Sequence, residues 1–565
     1  MPIIRSFRAG ALLFLAVVAC GSAKVSAQEL PAPEKPAAEE PIVVLSRGIG
    51  LLNKDRAADA LPHLDAALKL DPNLMPGYRY RGMARQDIRD FAGAIADFTK
   101  FLESADDDSY VLVRRGKAFG AKGDAEKAFE DLNSAVRLNP NYGYALVGRG
   151  EFLLAQHDDV GALADFERAL ALNPDDAFAH VGRGTVHLAK NAPEKALVDF
   201  TRAIEIDPED AAKYLLRGRV KKQTGDTAGA LADYDRAVSL RPHSPHAYID
   251  RGNLRNDKEE YEAAIADYTK AIELDPKNVL ALNNRGSTRR IRKEYEPALA
   301  DLNRALELDP EMIDALLNRA GLYEDQERWE AAEVEYTALV RRRPDDQNSF
   351  LRRAAVRQNL KNYEGALADF DRALTLSPKD AQALVHRGAV RLLKQDWDHA
   401  IADFTAAAEL KPDFAAAYFN RAFAWEEKQE LDKAIADYTR AHELKPKDPE
   451  VLVNRGIVKE TKNDLAGAIA DYDAALKIDP EYELAYFNRG NARQLKKDYA
   501  GAIADYDQAL KLDPKLAWAY AGRGLTHMAE SRDTEAEADF RRALELEPSL
   551  KTEIDAKVAE LKAGK

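Results

Sequence analysis

One cysteine, Cys20, occurs in the 565 residues. A lone thiol makes no intrachain disulfide and gives a metal no cysteine pair. The chain therefore tolerates an oxidising compartment without depending on one. Basic runs are equally scarce. Arg341, Arg342 and Arg343 form the one arginine triplet, and Asp345 and Asp346 follow it closely. With a formal net charge of −14, nucleic acid is not an expected partner. Catalytic signatures are missing too: there is no HExxH, no phosphate loop and no Gly-x-Ser-x-Gly. The ten histidines are scattered. His243 and His246 are neighbours without further ligands, a weak metal signal. No cofactor, metal or enzymatic activity is expected. Charged residues make up 32%, with 31 Gly and 25 Pro, a composition neither disordered nor fibrous.

What is present is a beat. Proline stands at Pro72 and then every 34 residues from Pro140 through Pro276, Pro412 and Pro514 to Pro548, with Asp106 in the one gap. Placing that proline at position 32 of each unit gives fifteen units over 41–550. Position 8 is Gly in twelve units and Ala in three, Ala320, Ala354 and Ala422. Position 20 is always Ala, from Ala60 to Ala536, and position 27 is Ala except at Phe101 and Leu339. Position 24 is Phe, Tyr or Leu, as in Phe98, Tyr268 and Leu302. The spacing 20, 24, 27 is helical, and small residues at fixed points let two helices approach closely.

These positions resemble the tetratricopeptide repeat family, with its small residues at 8, 20 and 27, an aromatic near 24 and proline at 32. The resemblance implies an all-α, right-handed α-solenoid superhelix of about fifteen stacked helix-turn-helix units with a concave inner face. Each unit is expected to carry helix A near positions 1–14 and helix B near 16–30. Gly123-Asp124 and Gly225-Asp226 suit the turn, with a left-handed glycine and then an N-cap. Each unit buries its apolar face only against its neighbours. Residues 551–565 carry Ile554, Val558 and Leu561 at helical spacing and read as a capping helix.

Two departures from the family stand out. Position 7 is Arg in all fifteen units, and position 11 is often basic, as at Arg255, Arg289, Arg391 and Arg493. Position 23 is Asp in thirteen units. About a turn near position 15, positions 7 and 23 lie at one height. This predicts a structural ion-pair ladder, with Arg251, Asp267, Arg387, Asp403, Arg489 and Asp505 among its members. Pairing within a unit and pairing between units both fit. A basic ligand track is the alternative, and the matched acid at each step argues against it.

Function is expected where the repeat varies. Ligands of such arrays occupy the concave face, lined by positions 2, 5, 6, 9 and 13 of helix A. In units 8–14 position 6 reads Asn284, Asn318, Arg352, His386, Asn420, Asn454 and Asn488. An amide both donates and accepts, so it reads a peptide backbone without demanding a side chain. The run is similar to the asparagine ladder of the O-linked N-acetylglucosamine transferase superhelix, where extended substrate segments lie. No catalytic domain accompanies it here. The lysine expected of a carboxylate clamp is missing, because position 5 is mostly apolar (Val113, Val181, Leu215, Phe419, Val453, Phe487). These residues line the groove or pack within the stack. The irregular units 9 and 10 mark a candidate joint, and unit 2 is another irregular point.

The first 27 residues carry an address. Arg5 and Arg8 precede the apolar run Ala11–Ala19, too short to span a bilayer. Val25-Ser26-Ala27 before Gln28 suits signal-peptidase cleavage; Val17-Val18-Ala19-Cys20 resembles a lipobox, with Cys20 as the candidate lipidation residue. Both routes lead out of the cytoplasm, to the periplasm or to an outer-membrane anchor. Residues 28–40 are a Pro/Glu/Ala-rich linker. The expected function is a non-enzymatic envelope scaffold holding protein or peptide segments, touching membrane only through a possible N-terminal lipid. Envelope polysaccharide export or assembly, and regulation of a separate enzyme, are the alternatives.

Overall fold

The computed structural model describes residues 40–563. The address segment 1–27, Cys20 and nearly all of the linker lie outside the described residues. From Pro41 to Leu546 the described chain is a succession of helix pairs, followed by a short turn and the terminal helix Lys551–Ala563. No strand occurs among the described residues. The protein is an all-α helical-repeat solenoid. Two compact units divide it, Met1–Asp233 and Tyr234–Lys565. The boundary falls inside the helix Thr227–Leu240, so the irregular repeats 9 and 10 lie within the second unit.

Each repeat runs the same course. Helix A occupies positions 1–13, as in Met75–Asp87 or Glu483–Leu495, and helix B positions 17–30, as in Ala125–Leu138. Helix B of repeat 2 ends early, at Leu102, where Asp106 replaces the proline. Position 15 is left-handed in every repeat. Gly123 and Gly225 have φ of 85° and 87°, and thirteen other residues, from Asp55 to Ser531, share that region. The amide of position 16 then reaches back to the carbonyl of position 11, as from Asp124 to Phe119 at 3.0 Å, a helix-ending motif. Asp90, Asp124, Asp158, Asp464 and Asp498 at position 16 cap helix B by accepting from the position-19 amide, each cap contributing about 1 kcal/mol.

The core is a series of local clusters, not one centre. Phe98, Val111, Leu132 and Phe166 pack together in the first unit, and Leu302, Leu316, Leu322 and Leu339 in the second. The small residue at position 8 is set by its neighbour's ring. A Cβ on Gly82 would meet Phe98 at 2.6 Å, and one on Gly388 would meet Phe404 at 2.6 Å. Within each unit, A helices of successive repeats touch. The A layer is therefore the closely packed one.

The arginine at position 7 resolves the pairing left open by the sequence. In fourteen repeats it pairs with the acid at position 23 of its own repeat, 16 residues on. Arg387 is typical: Nε donates to Asp403 at 3.0 Å and Nη2 at 2.6 Å. Its Nη1 turns to the preceding repeat and donates to Asp371, at position 25, at 2.6 Å. Arg251 does the same with Asp267 and Asp235, and Arg489 with Asp505 and Asp473. In most other repeats position 25 is Asn or Thr, as with Asn303 and Thr405, and still accepts; Glu167 and Arg541 are the exceptions. Position-11 arginines complete the cluster: Arg255, Arg391 and Arg493 each donate to the same buried aspartate, at 2.6–2.8 Å. One aspartate thus holds two guanidiniums whose repulsion it cancels.

Asp403 is 3% exposed, and removing one partner of a buried pair leaves the others uncompensated. Asp403→Ala is expected to destabilise its repeat by about 3 kcal/mol in urea unfolding followed by circular dichroism. Asp398→Ala removes only the partner of the exposed pair with Lys428 and is expected to change stability by less than about 1 kcal/mol. Equal losses in the two variants would remove the ladder's structural role.

Candidate functional site

Helix A presents two stripes. Positions 7 and 11 face helix B through the ladder, whereas 2, 6, 9 and 13 are one helical face on another side. Large apolar side chains stay exposed on that second face. Ile42, Phe178, Leu280, Leu484 and Trp518 share position 2, and Ile291, Leu393 and Leu495 share position 13. Position 5 behaves differently. Val113 and Val453 are buried, and Phe419 and Phe487 pack on the Tyr438 and Tyr506 rings at 5.5 and 6.2 Å between centroids. These position-5 residues pack within the stack, whereas Leu317 at the same position is exposed.

The seven position-6 residues divide into three groups. Asn284 Nδ2 donates to Asn253 Oδ1 of the preceding repeat at 2.8 Å, and Asn318 Nδ2 to Asn283 Oδ1 at 2.9 Å. Asn283 Nδ2 donates to Asn284 Oδ1 at 3.1 Å, so this chain of amides ties three A helices together. Arg352 is exposed, with Nη1 3.8 Å from Glu324, and His386 stacks on Phe370 at 6.3 Å. Asn420, Asn454 and Asn488 each donate Nδ2 to the carbonyl four residues back, on Ala416, Glu450 and Leu484, at 2.8–2.9 Å. Their Oδ1 atoms are left as a periodic row of acceptors.

Position 12 adds carboxyl groups that sequence reasoning did not single out. Glu426 and Glu460 each accept from the position-24 hydroxyl of their own repeat, Tyr438 and Tyr472, at 3.2 Å. Burial pushes both carboxyls above their ordinary value. In repeat 14 a glutamine takes this place. Tyr506 Oη lies 2.7 Å from Asn491 Oδ1 and 3.1 Å from Gln494 Oε1.

Three of those groups, Glu460, Asn491 and Gln494, line a cavity of about 690 Å³ in the second unit. Its apolar walls include Phe487, Leu495, Trp518, Leu525, Ile554 and Leu561, and Lys497, Tyr499, Glu553 and Lys557 also reach the lining. The terminal helix Lys551–Ala563 begins at position 1 of the 34-residue register, in the phase of a helix A. Ile554 is buried against repeat 15 and also faces the cavity. The sequence does show Trp518 as the one tryptophan at position 2, but the cavity depends on how the last helix is seated. Among the described residues no cluster of three His, Cys, Asp or Glu could hold a metal ion, and no helix is long and apolar enough to cross a membrane.

Comparison with known proteins follows this geometry. A tetratricopeptide repeat profile matches overlapping stretches across 81–211 and 292–449. Related repeat profiles match 214–244, 252–289, 461–497 and 484–516. A curated relative, the photosystem I assembly protein Ycf3 of Acaryochloris marina (strain MBIC 11017), is 37% identical over 67 residues. The match spans 11% of this chain and 40% of that relative's length. Among solved structures, the APC/C hetero-tetramer Cut9-Hcn1 aligns with 86% of this chain and 96% of its own at 17% identity and a TM-score of 0.39. Yeast Tom70 aligns with 75% and 96% at 19% identity and a TM-score of 0.33.

The buried carboxyls give a pH signature. Folded Glu426 and Glu460 retain protons that the unfolded chain, near its ordinary value of 4.5, releases. Stability is therefore lost as pH rises from that value through the folded one. Glu426→Gln and Glu460→Gln keep an acceptor for the tyrosine. Each is expected to raise the urea midpoint at pH 7, with the gain disappearing by pH 4. A gain of the same size at both pH values would contradict the assignment.

Proposed function

The chain belongs to the tetratricopeptide repeat family, and we propose that it is a non-enzymatic scaffold of the bacterial cell envelope that holds extended segments of partner proteins on its helix-A face. The observation that carries this reading is the recurrence of exposed apolar side chains at positions 2 and 13 of helix A, with Leu484 and Leu495 in the same repeat as Asn488 of the acceptor row Asn420, Asn454 and Asn488. Apolar patches on an otherwise charged surface mark interaction sites. An extended segment carries unpaired backbone N–H groups, which a row of side-chain oxygens spaced one per repeat can accept. A partner helix, whose amides are already bonded internally, has no use for that row. Support for the envelope comes from residues 1–27, and mass spectrometry of the mature chain tests it. Gln28 or a lipidated Cys20 as first residue is expected; retention of Met1 in the mature protein would overturn export.

The binding reading is tested by the triple variant Asn420→Ala, Asn454→Ala, Asn488→Ala. At about 1 kcal/mol for each lost hydrogen bond, affinity for a partner recovered from periplasmic extract is expected to fall about 100-fold. Far-ultraviolet circular dichroism should stay unchanged, because these side chains bond only their own helix. Full retention of every partner by the triple variant would rule out the asparagine row as the contact.

A further inference from the structure

We propose that the cavity between repeats 14 and 15 and the terminal helix receives one large, uncharged apolar side chain of a bound extended peptide, whose neighbouring backbone groups bond to Asn491, Gln494 and Glu460. The inference rests on the reading of the helix-A face as a peptide surface and adds the chemistry of one anchor residue. It also gives the terminal helix a second role, as a wall of the site as well as a cap.

Size comes first. About 690 Å³ lies within the roughly 300–1,000 Å³ of ligand-holding pockets and admits an aromatic or leucine side chain together with the peptide groups beside it. Trp518, 40% exposed, and Leu495, 60% exposed, lie on the helix-A face, so the cavity continues the exposed apolar surface of that face. Charge comes next. Lys557 is paired with Glu560 at 3.3 Å, and Lys497 and Glu553 at the lining are of opposite sign, so neither an acidic nor a basic occupant is favoured. The polar members decide the class. Asn491 and Gln494 turn their oxygens to the Tyr506 hydroxyl, and neither amide nitrogen has another partner among the described residues. Two donors are thus left for a carbonyl, and Glu460 offers an acceptor for an N–H. An acyl chain would bury all three without hydrogen bonds, which is unfavourable. A helix has its backbone groups already satisfied. A sugar would place its hydroxyls against Leu525, Ile554 and Leu561. An apolar side chain flanked by free peptide groups satisfies walls and polar members together.

The test uses the full chain with Trp329→Phe, Trp397→Phe and Trp425→Phe, which leaves Trp518 as the sole indole. The probes are the capped pentapeptides acetyl-Gly-Gly-Xaa-Gly-Gly-amide with Phe, Leu, Lys or Gly at Xaa, and decanoate. The Phe and Leu peptides are expected to shift Trp518 emission saturably and to bind at least tenfold more tightly than the Lys and Gly peptides and decanoate. Ala529→Phe fills the cavity from position 13, where Ile291, Leu393 and Leu495 show that a large side chain is tolerated, and is expected to abolish the response with helicity unchanged. No saturable response to the Phe peptide, equal binding of decanoate, or binding that survives Ala529→Phe would each overturn the proposal. The asparagine triple variant separates the two readings. If it loses partners while the wild-type cavity ignores every pentapeptide, the cavity inference alone fails. If the cavity binds the Phe peptide and the triple variant keeps every partner, the asparagine reading alone fails.

Discussion

Everything in this fold depends on one buried acid at position 23, an aspartate in thirteen repeats and Glu335 in another. Asp403 accepts two hydrogen bonds from Arg387 and one from Arg391, and Arg387 passes its third donor group to Asp371 in the repeat before. A planar guanidinium has enough donors in a fixed fork to do both at once. Lysine, a compact point charge, would not hold two carboxylates in that geometry. The same three-way contact recurs with Arg251, Asp267 and Asp235, and with Arg489, Asp505 and Asp473. It fixes helix A against helix B and one repeat against the next. Apolar packing supplies the bulk of the stability, but it is non-directional. The fork supplies the register.

That division of labour explains which positions are uniform. Arg at 7, Asp at 23 and an acceptor at 25 form a geometric set, so a change in one strands the others. Position 25 shows how loosely chemistry alone constrains it. Asp, Asn and Thr all appear there, because only a lone pair facing Nη1 is needed. Position 8 is constrained by space. Most repeats lay a bulky position-24 side chain over a glycine with no room for a methyl group.

The architecture was legible in the sequence because each of those constraints repeats fifteen times. Period, helix limits and the height of Arg387 against Asp403 all follow from residue spacing. Other features were not legible. The left-handed turn at position 15 announces itself at Gly123 and Gly225 but not at Lys293, Gln395 or Asn463; there the motif, not the side chain, sets the backbone. Position 6 reads as a single asparagine run, yet Asn284 and Asn318 turn to amides on neighbouring helices while Asn420, Asn454 and Asn488 turn to their own. The difference comes from Asn253 and Asn283 at other positions, which no reading of position 6 alone contains. The position-23 acid pairs with the arginine of its own repeat, and the contact between repeats comes instead from position 25, as Asp371 to Arg387; two antiparallel heights that nearly coincide could not separate the first pairing from its alternative.

The cavity at the second unit's last repeats shows how a periodic fold acquires a singular site. Along the array each helix A is followed by its helix B, and positions 5, 9 and 12 fill the space between neighbours. The helix Lys551–Ala563 keeps the phase of a helix A, and Ile554 and Val558 seat it against repeat 15. Beside it Ala521, Gly522 and Ala529 are small where other repeats carry Phe487, Asn488 and Leu495. Small residues on one side and the terminal helix on the other leave a space lined by Trp518 and Phe487. The ladder does not sense this change, since positions 7, 11 and 23 of repeat 15 keep Arg523, His527 and Asp539 in contact. The interactions that build the stack and the residues that shape its helix-A face lie on separate stripes of one helix. The second set can therefore change from repeat to repeat without cost to the first.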